Sequence, residues 1–552
     1  MGVKYFFSTM KRRYKNCFEQ RRRELSQHIA QKGIDIFCID MNGIYHLAAQ
    51  KVFKYGNYAP RKTLINKNVH KQVLVNTETL NALHKQICNE VEFLVRYVCP
   101  RKVLVLCTDG VAGYAKSFQQ RQRRFGAMNG KDDADINKWS SNNLSIGTKY
   151  MHDLTAYVEK HIIYQKSNDS IWKKFDVVWS NEKVASEGEH KLLSYIRKFS
   201  DASDKICIHA MDADLIMLSM ALHRPNTFIL RDDHMSDKIT YVIDISALTR
   251  IVRGVMDPGR RWSANHTIDD FVFLCFILGN DFLPNIPSVE TMLNGVDLIL
   301  DNYQFINEPI VDIKKKPLFN IKSLQYFFEL MQQNEKPSLI AKLNGHKTFF
   351  KDDIIDRNKV ITDNGINIKY DDYVADYYKT KIGNDEDVMQ LCQDYFEGLE
   401  WVFKYYSSGM PNWKWMFNSL YAPFFKELVA YLPYYNSKGY GRTVPVDPVH
   451  QLLMIIPPQS SHLLPPPFNT LIKDKDFILK EQYPRQVSVD LSGKYQEWEG
   501  LIKLPKFDVD GIETFYNKHK GDINIDDRKY NITDTTKLFK NNEKCIIINL
   551  NN

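Results

Sequence analysis

The chain reads as an α/β protein, with a central, mostly parallel sheet covered by helices and a helical, aromatic-rich second region packed against it. Three observations predict this. Short runs rich in Val, Ile and Phe alternate with longer periodic stretches over the first 300 residues. The runs are apolar throughout, as strands covered on both faces must be. From residue 386 the composition turns sharply to Trp, Tyr and Phe.

The expected strands are "IDIFCID" (34–40), "KVLVLCTD" (102–109), "FDVVWS" (175–180), "KICIHAMD" (205–212), "TFILRD" (227–232) and "TYVIDI" (240–245). Stretches 79–98 and 148–165 have helical spacing between them. Residues 1–300 are therefore expected as one α/β domain, and 301–385, rich in Lys, Asn and Asp, as a variable insertion or linker. The aromatic second region should run over 386–511, followed by a polar tail at 512–552.

A length of 552 residues exceeds one ordinary core, and 44% hydrophobic with 25% charged residues is an ordinary globular balance. A net charge of +8 permits a polyanionic partner without requiring one. Nine cysteines show no CxxC pair, and several sit in apolar runs, so they read as free thiols of a reducing, intracellular compartment. The first twenty residues lack the apolar stretch of a signal peptide, and no run of eighteen apolar residues exists. "MGVKYFF" lacks the Ser or Thr of a myristoylation signal, so no membrane attachment is expected. The basic run "RRR" (21–23) reads as solvated helix surface rather than an import signal.

Three of the expected strands end in aspartate: Asp40, Asp109 and Asp212. Ligands of open α/β sheets bind beyond the carboxyl ends of strands, so these three can converge. Glu187 and Glu189 in "SEGEHK", Asp214 in "MDADL" and Asp281 in "LGNDFLP" add four more acids beside apolar runs. Seven carboxylates at apolar junctions cannot all be buried unpaired. Oxygen-seeking divalent cations resolve this, Mg2+ first and Mn2+ as a substitute. Two such ions would stabilise both the attacking and the leaving oxygen of a phosphodiester displacement.

In "AKSFQQRQRRF" (115–125), Lys116, Gln120, Arg123 and Arg124 follow i, i+4, i+7, i+8 spacing and share a helix face. Alone, that is better read as a solvated basic face. Its place directly after Asp109 turns it toward the acids, where such donors suit a terminal phosphate.

These stretches resemble the 5′→3′ exoribonucleases of the Xrn/Rat type. "MGVKYFF", "IDMNGIYH" (39–46), "DGVAGYAKSFQQRQRRF" (109–125), "IGTKYM" (146–151), "SEGEHKLLSYIR" (186–197), "MDADLIML" (211–218) and "DFVFLCFILGNDFLPNIPS" (270–288) carry the resemblance. "EGLEWVFKYYSSGMPNWKWMFNSLYAPF" (397–424) and "HQLLMIIPPQSSHLLPPPF" (450–468) extend it. It implies a PIN/flap-nuclease-like domain and processive hydrolysis of 5′-monophosphorylated RNA to mononucleotides. On this resemblance Asp40, Asp109, Glu187, Glu189, Asp212, Asp214 and Asp281 are the catalytic and metal positions. Lys116, Gln120, Arg123 and Arg124 form the 5′-phosphate pocket. His46 stacks on the terminal base, with Trp413 or Trp415 on its other side, although the residues alone would read as core packing. The resemblance further implies a monomer in the cytoplasm rather than the nucleus, acting after a decapping enzyme. The chain is expected as a compact form without the large C-terminal extension. It departs from the family pattern at Lys4, Gly113, Tyr114, Ile146 and Ser186, none of which removes an expected ligand. Two other readings remain open, a flap-type structure-specific endonuclease and a catalytically inactive RNA-binding scaffold.

Overall fold

A computed structural model describes residues 2–22, 28–58, 73–233, 236–345, 348, 350–383, 387–540 and 545–550. Its strands, in chain order, are β1 (Phe18–Arg22), β2 (Ile36–Asp40), β3 (Val103–Cys107), β4 (Asp176–Ser180), β5 (Ile206–His209), β6 (Thr227–Asp233), β7 (Ser236–Asp244), β8 (Lys359–Thr362), β9 (Gly365–Ile368), β10 (Ser488–Asp490), β11 (Leu501–Lys503), β12 (Thr536–Phe539) and β13 (Ile546–Ile548). Nine of them form one sheet in the order β1-β7-β6-β5-β2-β3-β4-β12-β13. The five central strands, β6-β5-β2-β3-β4, are parallel. Antiparallel pairs close both edges.

The apolar runs are continuous because both faces of the sheet are buried. Ile36, Cys38, Val105, Val178, Ile206 and Ile208 point into one core. Their alternates Phe37, Ile39, Leu104, Leu106, Val177 and Trp179 point into the other. Helices Met41–Phe53, Thr77–Val98 and Lys149–Asn168 cover the second core. Helices Gly188–Phe199, Leu215–Ala221, Ala264–Cys275 and Val388–Ser408 cover the first. The aromatic region thus packs on the sheet domain through Tyr405, Tyr406, Phe403 and Trp401.

All six expected strands form. Residues 301–385 do more than link: helix Ile321–Gln333 sends Leu324, Phe327, Phe328 and Met331 into the first core. Residues 512–552 are also not a free tail. Helix Val509–His519 buries Ile512 and Tyr516 against Leu452 and Ile455, and β12 pairs with β4. Polar composition hid helix Val509–His519 and β12, which joins the sheet one strand in from its edge. The run at 21–23 begins in β1 rather than on a helix, and Arg23 lies outside the described residues.

Strand order reverses at β2: the chain steps outward through β3 and β4 on one side, and through β5 and β6 on the other. A crevice at the carboxyl ends of strands is expected at such a switch point.

Candidate active site

The carboxylates are delivered to that crevice by strand ends and helix starts. Asp40 ends β2 and caps helix Met41–Phe53, accepting from the Asn42 amide at 3.2 Å. Asp109 follows β3 by two residues. Glu187 is the residue before helix Gly188–Phe199, and Glu189 stands in its first turn. Asp212 and Asp214 follow β5, with Asp214 opening helix Leu215–Ala221. Asp281 lies in the loop after helix Ala264–Cys275.

The glycine of "SEGEHK" has a packing reason. A Cβ at Gly188 would meet Asp40 Oδ1 at 3.0 Å and Asp109 Oδ1 at 3.3 Å. Its amide donates to Asp109 Oδ1 at 2.7 Å. The preceding residue, Ser186, is held at φ 100°, a region that favours glycine. Two backbone hydrogen bonds hold that conformation in place: Ser186 N to Val111 O at 2.7 Å and Gly110 N to Ser186 O at 2.8 Å. They tie the Glu187 turn to the Asp109 loop.

Lys116 lies between two of the acids. Its Nζ is 2.5 Å from Glu187 Oε2 and 2.8 Å from Asp281 Oδ2. The N-terminal segment enters as well: the Gly2 amide donates to Asp281 Oδ1 at 2.9 Å, and a Cβ on Gly2 would strike Asp214. Burial pushes the Asp40 carboxyl well up, reinforced by Asp109 and Asp212. Glu189 is pushed well up by burial and by Asp214. Asp214 is raised to about 6, again first by burial. Burial also raises Glu187, against the pull of Lys116. Burial acts upward on Asp281 too, but Lys116 together with other nearby positive charges, Arg123 among them, holds the carboxyl below the usual range.

This charge distribution fits divalent cations. Ligand atoms of Glu189, Asp212 and Asp214 lie within 4.8 Å of one another. Asp214 Oδ1 is buried with no hydrogen-bond partner among the described residues. A hard cation is the ordinary way to satisfy such an oxygen.

Lys116, Gln120, Arg123 and Arg124 share helix Tyr114–Met128. Lys116 is engaged by the acids, as above. Gln120 is buried with Oε1 unpartnered, and Arg124 bonds Asn142 and Ser145 while its Nε has no partner. Burial and Arg123 lower the Arg124 guanidinium to about 9, so this corner holds cations with few counter-charges. His46, on helix Met41–Phe53, feels Arg123, Arg124 and Asp212; burial above all lowers its imidazole to about 4.

The two tryptophans differ. Trp415 stacks on Trp401, with ring centres 4.7 Å apart, and lies against Gly398. Trp413 packs with Val111, Ile146 and Ala185, beside the Asp109 loop. Its carbonyl accepts from the Tyr114 amide at 2.8 Å, at the start of the helix that carries Lys116.

Three supporting residues were not singled out from sequence. Asn42 Nδ2 bonds Asp109 Oδ2, and its Oδ1 accepts from the Asp109 amide at 3.1 Å. Tyr405 donates to Glu187 Oε1 at 2.8 Å, and its ring stacks on His190 at 3.6 Å. Gly2 is the third. Asn42 had a signal, an amide side chain two residues after a strand-end aspartate. Tyr405 had none, because its contact spans 218 residues.

With this geometry in view, comparisons with known proteins are consistent. Residues 1–233 match the family described as "XRN 5'-3' exonuclease N-terminus". Residues 261–336 and 322–549 match the "Xrn1 helical domain". The "5'-3' exoribonuclease 2" of Debaryomyces hansenii is 24% identical, over 92% of this chain and 68% of that protein. The "5'-3' exoribonuclease 1" of Saccharomyces cerevisiae is 23% identical over 91% and 42%, and that of Homo sapiens 25% over 92% and 33%. The chain thus spans between a third and about two thirds of these relatives' lengths. Among solved structures, the catalytic core of Rad2 in complex with DNA substrate overlaps at a TM-score of 0.30 and 12% identity, covering 74% of this chain and 96% of that one. That overlap is too loose to carry an inference.

Proposed function

The chain belongs to the XRN 5'-3' exonuclease family, and from that premise we propose that it hydrolyses 5′-monophosphorylated RNA processively from the 5′ end, releasing mononucleotides. The observation that carries this reading is the union of two groups on one helix start. Seven carboxylates act on one another at the carboxyl ends of the central strands, and the helix whose Lys116 bridges two of them continues into Gln120, Arg123 and Arg124.

The roles follow from the chemistry of the groups. Glu189, Asp212 and Asp214 would hold one Mg2+, with Asp281 beside Asp214, and Asp40, Asp109 and Glu187 would complete a second site. Bound there, the ions supply Lewis-acid activation of water and charge stabilisation at the scissile phosphate. Asn42 and the Gly188 amide fix Asp109, and Tyr405 fixes Glu187, so the ligand oxygens are oriented before substrate arrives. Gln120, Arg123 and Arg124 would take the terminal phosphate, whose charge the unpaired Arg124 Nε favours. His46, neutral at pH 7, would stack on the first base, with Trp413 opposite. Trp413 is preferred over Trp415 because Trp415 is already committed to Trp401.

We also infer a monomer acting on RNA made available by decapping, in a reducing cytoplasm. All nine cysteines are free thiols, and no helix of the described residues is long and apolar enough to cross a membrane.

The test uses one 3′-labelled RNA carrying a 5′ monophosphate, triphosphate or hydroxyl, with and without Mg2+. Magnesium-dependent loss of only the monophosphate form, without a discrete internal product, is expected. Asp212→Asn should abolish cleavage and keep binding. Equal cutting of all three ends, or an internal product, would replace the reading with an endonuclease. Binding without cutting would replace it with a scaffold.

A further inference from the structure

Beside the acidic site lies a cleft of about 740 Å³, sharing Gly2, Asp281 and Arg123 with it and walled further by Lys4, Lys342 and residues from 118–127, 278–290, 352–355, 373–381, 417–421 and 489–502. Its volume is that of a small-molecule site. Most of the carboxylates on its wall are already satisfied. Glu290 pairs with Lys342 at 2.5 Å, and Asp490 with Lys381 at 2.5 Å. Asp352 accepts from the amides of its own helix start, and Glu499 from the Tyr495 and Gln496 amides. Only Glu497, at the exposed rim, lacks a partner among the described residues.

Two amines are left over. The Lys494 ammonium, on a half-buried residue lining the cleft, makes no hydrogen bond or ion pair among the described residues; Glu290, Glu499 and Asp490 act on it only at longer range, and Lys342 and Lys4 repel it. Lys4 donates only to the Glu499 backbone carbonyl, at 3.2 Å. Burial first, then mutual repulsion, lowers Lys4 to about 8. Grouped amines with no ion-pair partner of their own favour an anion between them. At the mouth, Trp498 is 57% exposed, and the Lys4 amine lies 5.8 Å from its ring centre. An exposed indole beside such amines suits a base above a phosphate.

We propose that this cleft binds a nucleoside 5′-monophosphate, with Lys494 and Lys4 holding the phosphate and Trp498 stacking the base. It is a second nucleotide site, distinct from the His46 corner, and it would receive the mononucleotide that cleavage releases. The proposal rests on the proposed hydrolysis only for the source of that nucleotide. A terminal phosphate is favoured over a chain phosphodiester because its second negative charge matches two unpaired amines.

The test is photolabelling of the full chain with 8-azido-AMP in EDTA, so that no turnover occurs, followed by peptide mapping and by calorimetry with AMP. Label on the 488–503 segment is expected, with AMP but not adenosine competing. Lys494→Gln should weaken that label at least tenfold with thermal unfolding unchanged, and Trp498→Ala, at an exposed position, serves as the second variant. Label confined to the His46 and Trp413 segments would overturn the proposal, as would labelling indifferent to both substitutions. Competition by a 5′-hydroxyl oligonucleotide equal to that by AMP would overturn it in favour of chain phosphates. A chain that takes the label but degrades no RNA keeps the cleft and loses the nuclease reading. A chain that degrades RNA without taking the label loses only the cleft.

Discussion

Replacing Lys116 by Met removes the one ammonium lodged between Glu187 and Asp281 and leaves the carboxylates in place. The three side chains are 13%, 5% and 5% exposed, so water cannot take over the lost contacts. Removing one partner of a buried ion pair typically costs about 3–5 kcal/mol, because the remaining charge stays buried. At about 2 °C per kcal/mol for a large domain, the first unfolding transition should fall by about 6–10 °C in EDTA. The Gly2 amide and the Tyr405 hydroxyl still reach these carboxylates, but the lost ammonium can be replaced only by protons or divalent cations. Magnesium should therefore raise the melting temperature of Lys116→Met more than that of the parent chain. The pH dependence has a definite sign. Asp281 is depressed in the fold, so its stabilising contribution is present above its unfolded value and is lost as pH falls toward the folded one. Lys116→Met should weaken that acid-side decline, because Lys116 is the largest of the positive charges that depress Asp281. Differential scanning fluorimetry in EDTA and in Mg2+ at several pH values measures all three effects. A melting temperature within about 2 °C of the parent in EDTA, with equal magnesium gains, would refute the reasoning.

Ser186→Gly should stabilise the chain by about 1 kcal/mol, because a non-glycine residue at φ 100° is strained; chemical denaturation showing a loss would reject this. In EDTA, Asp214 is raised in the fold to about 6, so its burial destabilises at pH 7 and that cost fades as pH falls through 6 toward 4. Asp214→Asn should therefore raise the melting temperature at pH 7 and leave it nearly unchanged at pH 4.5. Trp415→Ala should lower stability by about 3 kcal/mol or more through loss of its stack on Trp401, measured by thermal unfolding. Trp413→Ala should instead slow degradation of monophosphorylated RNA with a smaller stability change, and the reverse pattern would exchange their roles.

Sequence alone determined the sheet and most of the acidic set. Strands buried on both faces must be apolar throughout, so β2 to β6 stand out of the chain, and aspartates at their ends announce a crevice. The spacing of Lys116, Gln120, Arg123 and Arg124 is likewise local, because a helix face is fixed by 3.6 residues per turn. What remained hidden depends on contacts between distant segments. β12 was masked by polar composition, since it joins the sheet near an edge. Trp413 and Trp415 are two residues apart and identical in type; only packing against Trp401 in one case and the Asp109 loop in the other separates them. Tyr405 reaches Glu187, and Gly2 reaches Asp281, across more than 200 residues. Lys116 was expected to meet a phosphate, yet the fold sets it between two carboxylates. Local pattern decides which elements form and which way they face. The pairing of charges is decided only when the elements close on one another, because burial makes each unpaired group costly and so selects its partner.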